Sequence, residues 1–222
     1  MPATEPAPRS GRRQRGDRAG LSPARIVEAA RGLDADTITV QAVADRLGVN
    51  RATVHHHIND LDTLREMIAL DAFAMRFAPV MVPPDADWRE ACSILAHSMH
   101  NAVLAAGGLG TYVRLRASDV AQLEPVERTL RIMIAAGFDD ETAARCLAAL
   151  ANLASAVARE GIIAERERGH PQISELQHAL QNDHGAGFTV LRRLAEADLV
   201  RYNDTQLNLS IDIFLDGMAT RL

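Results

Sequence analysis

The chain has 222 residues, 47 % of them hydrophobic, with a net charge of −5, enough for one or two cores but not for a large multidomain assembly. Its 24 basic residues are all arginine, and its two cysteines exclude a disulfide framework. No stretch approaches the run of about 18 to 20 uncharged apolar residues that a membrane span needs, and the N-terminus lacks an apolar signal core, so a cytoplasmic protein with no membrane partner is expected.

Charge is uneven along the chain. Residues 1–60 hold nine arginines against seven acids, whereas residues 61–222 hold fifteen against twenty-two. Residues 1–20 read as a disordered arginine-rich arm, because Arg9, Arg12, Arg13, Arg15 and Arg18 lie in a Pro/Gly/Ser-containing tail that cannot build a core. Such an arm either solvates itself or binds a polyanion.

The first helix starts at "LSPARIVEAARGL". Ser22 can cap it, Pro23 suits the first helical position, and Ile26, Ala29, Ala30 and Leu33 follow at helical spacing. In "VQAVADRLG", Val40, Val43, Ala44 and Leu47 form a second apolar stripe, and Gly48 provides the left-handed stop. Asn50 can cap the short third helix, "RATVHHHI", with Val54 and Ile58 pointing inward. Helix, glycine-containing turn and short helix make a helix-turn-helix over residues 21–66.

Three consecutive histidines, His55, His56 and His57, sit on that third helix. Neighbouring helical residues are about 100° apart, so the three fan outward and cannot converge on one ion; no metal and no cofactor are expected. Nothing near them supplies a nucleophile or an oxyanion donor for catalysis. What remains is a polar face of Arg51, Thr53, His55, His56 and His57, suited to base edges and phosphates, or else a solvated face of unusual composition.

The segment "LSPARIVEAARGL…ITVQAVADRLGVNRATVHHHINDLDTLREMI" resembles the N-terminal domain of the tetracycline-repressor family over about fifty residues. Leu47, Gly48 and Val49 match the family's Leu-Gly-Val turn. Val54 stands where relatives have Leu, His55 where they have Tyr, His57 where they have His and Ile58 where they have Phe, with Leu64 on the next helix. The resemblance implies double-stranded DNA as partner, with Ser22, Asn50, Arg51, Ala52, Thr53, His55, His56 and His57 at the interface. Arg51 and Thr53 would read base edges, His55 and His57 would meet phosphate, and Arg12, Arg13 and Arg15 of the arm would add attraction. One departure is the linker "NDLD", where Leu61 replaces a phosphate-contacting lysine common in relatives, beside Asp60 and Asp62. The arm, and protonation of the histidines as pH falls from about 7.5 to 6, would offset those acids, so DNA affinity is expected to rise over that interval.

From Thr63 onward the pattern is helical with no strand-type alternation, which makes the chain all-α. Helices are expected over 60–77, in "ADWREACSILAHSMHNAVLAAG", and over 109–117, 122–136, 140–166, 188–200 and 205–220, while "RGHPQISELQHALQNDHGAG" reads as a polar, mobile excursion. Residues 67–222 thus read as a helical domain with Cys92 and Cys146 as small core residues within it, and the family resemblance implies that this domain binds ligand and dimerises. This part resembles the tetracycline-repressor branch itself in "ADWREACSILAHS", "ERTLRIMIAAGFDDETAARCLAALANLASAVARE" and "LNLSIDIFLDGMATRL". In that branch the helices matching 140–166 and 205–220 build a homodimer interface, here through Leu147, Ala151, Ala154, Ala158, Leu207, Ile211 and Phe214, with Leu209 and Ile213 adding apolar area.

The branch's tetracycline–magnesium site does not carry over: its histidines fall at Phe77 and Arg114 and its asparagine near Leu95. Phe77, Leu95, His97, Met99, His100, Tyr112, Arg114 and Asn152 are candidates for a different inducer pocket. The reading is a homodimeric repressor of a palindromic operator released by a small molecule. An all-α enzyme or sequestering protein, a DNA-bound activator or constitutive architectural binder, and a monomer that buries the same interface residues in its own core are the alternatives.

Overall fold

A computed structural model of the chain describes residues 20–33, 37–112, 122–182, 187–197 and 202–222, the side chains of Thr111 and Tyr112 excepted. Among these residues there are ten α-helices, one 3₁₀ helix and no strand, in agreement with the all-α reading. The N-terminal arm, with Arg12, Arg13 and Arg15, lies outside the described residues, as does Arg114.

Helices α1 (Pro23–Ala30), α2 (Val40–Leu47) and α3 (Arg51–His55) pack as one unit. Ser22 Oγ accepts the Arg25 amide at 3.3 Å, and Thr39 Oγ1 accepts that of Ala42 at 3.1 Å, so the first two helices have side-chain N-caps. Gly48 closes α2 with φ +66°, the left-handed backbone that turns the chain toward α3. Asn50 occupies the N-cap position of α3 with extended backbone, but its side chain makes no capping bond. Ile26, Val43, Ala44, Val54, Ile58 and Leu64 close the small core of this unit.

Helix α4 (Leu61–Phe77) runs out of that core into the second domain. Leu64, at its start, belongs to the N-terminal core, whereas Phe73 and Phe77, at its end, belong to the larger one. The domain boundary expected after residue 66 therefore falls inside a continuous helix. Arg31, just beyond α1, clamps Asp71 of α4 through two 2.8 Å hydrogen bonds, a bidentate pair that ties the small unit to the rod.

The second domain is built around α5 (Trp88–Ala105), which packs against α4, α6 (Glu124–Ala135), α7 (Asp140–Arg166) and α10 (Asp204–Ala219). Its buried residues, among them Cys92, Leu95, Ala96 and Val103, lie on more than one face, as expected of an enclosed helix. Burial pushes the Cys92 thiol up to about 12, in keeping with a core role. Phe73 and Phe77 stack at 5.1 Å between ring centres. Phe77→Ala is expected to cost about 3–5 kcal/mol in chemical denaturation, because the ring is fully enclosed; a loss under about 1 kcal/mol would show a pliable core.

Three expectations change. The 109–117 helix is instead a 3₁₀ helix at Gly107–Tyr112, its remainder lying outside the described residues; three glycines in four residues disfavour an α-helix. The polar excursion contains α8 (Pro171–Asn182), which pairs with α9 (Thr189–Glu196). Ile173, Leu176 and Leu180 are one sparse stripe among polar residues, and Leu180 is buried. Finally, α7 is long and apolar enough, by length and composition alone, to cross a membrane, because alanines surround it on every side.

That all-round composition also hid which face of α7 points inward. Leu147, Ala154, Ala158, Leu207 and Ile211, expected at a dimer interface, are at most 4 % exposed and pack in this chain's own core. Ala151 and Phe214 are half-buried at the rim. The outward stripe includes Ala149 and Ala156 on α7 with Leu209 and Ile213 on α10, and the last two are 54 % and 64 % exposed.

Candidate nucleic-acid interface and ligand cleft

The short α3 presents its polar face outward because Val54 and Ile58 are drawn into the core beneath it. Arg51, Ala52, His55, His56 and His57 are exposed, as is Asn50, while Thr53 and Ser22 are half-buried. The histidines span the end of α3 and the following turn, and they fan as the spacing requires. Arg51 Nε donates to His55 Nε2 at 3.2 Å across one helical turn, a bond that exists only while that ring nitrogen carries no proton.

The acids of the linker both have local roles. Asp60 caps α4, accepting the Thr63 amide at 2.7 Å, and this bond holds its carboxyl below the usual carboxylate range. Asp62 pairs with Arg65 at 3.2 Å. Their negative charge is thus partly answered by a helix N-terminus and a guanidinium.

At the far end of α4, a cleft of about 280 Å³ opens between α4, α5, α7 and the 3₁₀ helix. Phe73, Met99 and Val103 supply apolar walls, Gly110 a close-packed corner, and Ala151, Asn152, Ser155 and Arg159 one edge. Of the expected ligand residues, Met99 and Asn152 line it. Phe77 and Leu95 are not among its described lining residues and pack in the core cluster. Tyr112 is placed only by its backbone, at the end of the 3₁₀ helix.

His97 turns toward α10, and neither His97 nor His100 is among the described residues that line the cleft. His97 is held between the Ser93 carbonyl at 2.8 Å and the Asn208 side-chain amide at 2.7 Å. His100 is buried with Nδ1 unpartnered. Burial pushes its pKa down; Asn101 and Asp204 oppose the shift, and His97 adds to it. The unfolded chain therefore takes up this proton first as pH falls through about 6.5, and stability is lost below that pH toward the lower folded value. Urea midpoints are expected to fall between about pH 7.5 and 5.5, and to fall less in His100→Gln; equal losses would remove His100 as a cause.

Arg159, Ser155 and Phe73 were not anticipated from the sequence. A signal was present: Asn152, Ser155 and Arg159 recur at i, i+3 and i+7, a polar line on an alanine-rich helix.

A family profile described as "Tetracyclin repressor-like, C-terminal domain" matches residues 81–222. Solved structures of the same fold include the Streptomyces coelicolor TetR family protein ActR in complex with actinorhodin, 24 % identical over 90 % of this chain and 96 % of that one, with a TM-score of 0.68. A possible TetR family transcriptional regulator from Streptomyces coelicolor A3(2) is 21 % identical over 90 % and 99 %, with a TM-score of 0.70. A TetR variant from Acinetobacter baumannii AYE in complex with minocycline is 18 % identical over 90 % and 94 %, with a TM-score of 0.63. No curated protein matches the chain.

Proposed function

Because the chain belongs to the tetracycline-repressor family of transcriptional regulators, we propose that it is a cytoplasmic, ligand-responsive repressor without enzymatic activity, which binds a palindromic DNA operator as a homodimer. The observation that carries this reading is the single helix α4. Its start lies in the core under the exposed α3, and its end places Phe73 on the wall of the cleft. A molecule in the cleft that prefers one position of Phe73 biases the whole rod, and Leu64 and the Arg31–Asp71 clamp carry the bias to α3.

In the dimer, two α3 helices enter successive major grooves about 34 Å apart. Arg51 and Thr53 read base edges, His55 and His57 meet phosphate, and the arginine arm adds sequence-independent attraction. The outward stripe of α7 and α10 joins the two copies, and burial of Leu209 and Ile213 drives the association. Two structural neighbours hold organic molecules, actinorhodin and minocycline, which supports an organic inducer for the cleft.

The test is selection of bound fragments from the native genome by the purified protein at about 0.15 M salt, where nonspecific affinity is weak. Recovery of one palindrome, released when small-molecule extracts are added, is the expected result. Recovery of sequence-indifferent DNA alone would overturn the operator reading, and a palindrome that no extract releases would overturn the inducer reading.

A further inference from the structure

Among the described residues, the cleft beside α4 is lined without any acid, and one cation stands at its edge. Arg159 is half-buried on α7, and among the described residues no carboxylate or hydrogen-bond acceptor meets its guanidinium. Some arginines elsewhere on the helices are answered, Arg128 by Glu124, Arg131 by Glu127, Arg145 by Glu141 and Arg89 by Asp216, whereas Arg159 is set apart by facing an apolar cleft. A guanidinium partly withdrawn from water and left unpaired is unfavourable, and an anion delivered by a ligand offsets that cost.

The rest of the lining restricts the ligand further. Asn152 and Ser155 share the edge of α7 with Arg159, so hydrogen-bonding groups form a line that ends in the cation. Phe73, Met99 and Val103 come from two other helices and offer an aromatic face, a polarisable thioether and a branched aliphatic group. A volume of about 280 Å³ is at the small end of the range for ligand pockets, about 300–1,000 Å³.

We infer that the cleft binds a small apolar acid, its aromatic or aliphatic body against Phe73, Met99 and Val103 and its carboxylate on the Arg159 guanidinium. Arg159 is thus a specificity-determining residue, selecting an anionic ligand over a neutral one of the same shape. The inference rests on the ligand-responsive reading above and names the chemistry of that ligand.

The test uses two probes of nearly equal shape, naphthalene-2-carboxylate and naphthalene-2-carboxamide, titrated calorimetrically into the full-length protein. The carboxylate is expected to bind about tenfold or more tighter than the amide, the value of one charge-assisted hydrogen bond. Arg159→Gln is expected to bring the two probes to equal affinity with the melting temperature unchanged, while Arg159→Lys keeps part of the preference. Met99→Trp, which fills the cleft, is expected to abolish binding of both and keeps the site testable if Arg159→Gln misfolds. Equal binding of the two probes to wild type, binding of neither, or a preference that survives Arg159→Gln would overturn the inference. Fluorescence anisotropy of the selected operator separates the two readings. A carboxylate that binds through Arg159 without releasing DNA sustains this inference and refutes induction by that ligand. A neutral compound that releases DNA without needing Arg159 does the reverse.

Discussion

Ile213→Asp is expected to turn the protein into a monomer in analytical ultracentrifugation and to lower operator affinity about 100-fold or more. Ile213 and Leu209 are the large apolar side chains most exposed on α10, at 64 % and 54 %, and α10 packs on α7, whose exposed Ala149 and Ala156 are small enough to let a partner helix approach closely. A two-fold interface uses each residue twice, so burying these side chains contributes about 1.5–3 kcal/mol per residue per copy. Aspartate removes that contribution and places two carboxylates where the copies meet. Each folded chain should survive, since Ile213 takes no part in the core, and the circular dichroism melt of the variant monitors this directly. A variant that stays dimeric and binds DNA normally would move the interface to another face.

Arg51→Ala should erase selection of the palindrome. An arginine that reads a base edge is worth about 1–3 kcal/mol, and a dimer loses it in both half-sites. Thermal stability should not change, because Arg51 is exposed and, among the described residues, its hydrogen bond is to the equally exposed His55. A variant lacking Arg51 that recovers the same palindrome with the same affinity would place sequence reading elsewhere on the protein.

The helix-turn-helix was legible because its signals are local. Ser22, Pro23 and Gly48 act on backbone atoms within a few residues of themselves, and the apolar spacing of Ile26, Val43, Val54 and Ile58 has one interpretation on helices this short. The later helices were legible from their helical apolar spacing, and the structure adds side-chain caps at Asp87 for α5 and Asp139 for α7. Helix α8 was not, since its stripe is only three residues wide and depends on α9, to which Gln177 donates at 3.0 Å through the Ala195 carbonyl.

By itself, then, the sequence determined an all-α chain, the identity and order of most helices, and an exposed polar third helix. All of these follow from interactions within a turn or two of helix. Which face of α7 and α10 is core and which is free, and which polar residues meet at the cleft, was decided only by tertiary packing. An alanine-rich helix has no unique apolar side, so Leu147 and Ala154 turned inward once α5 was beside them, and Ile213 was left outside. Likewise Arg159 gained its significance only when α4 and α5 closed an apolar wall opposite it and brought no acid with them.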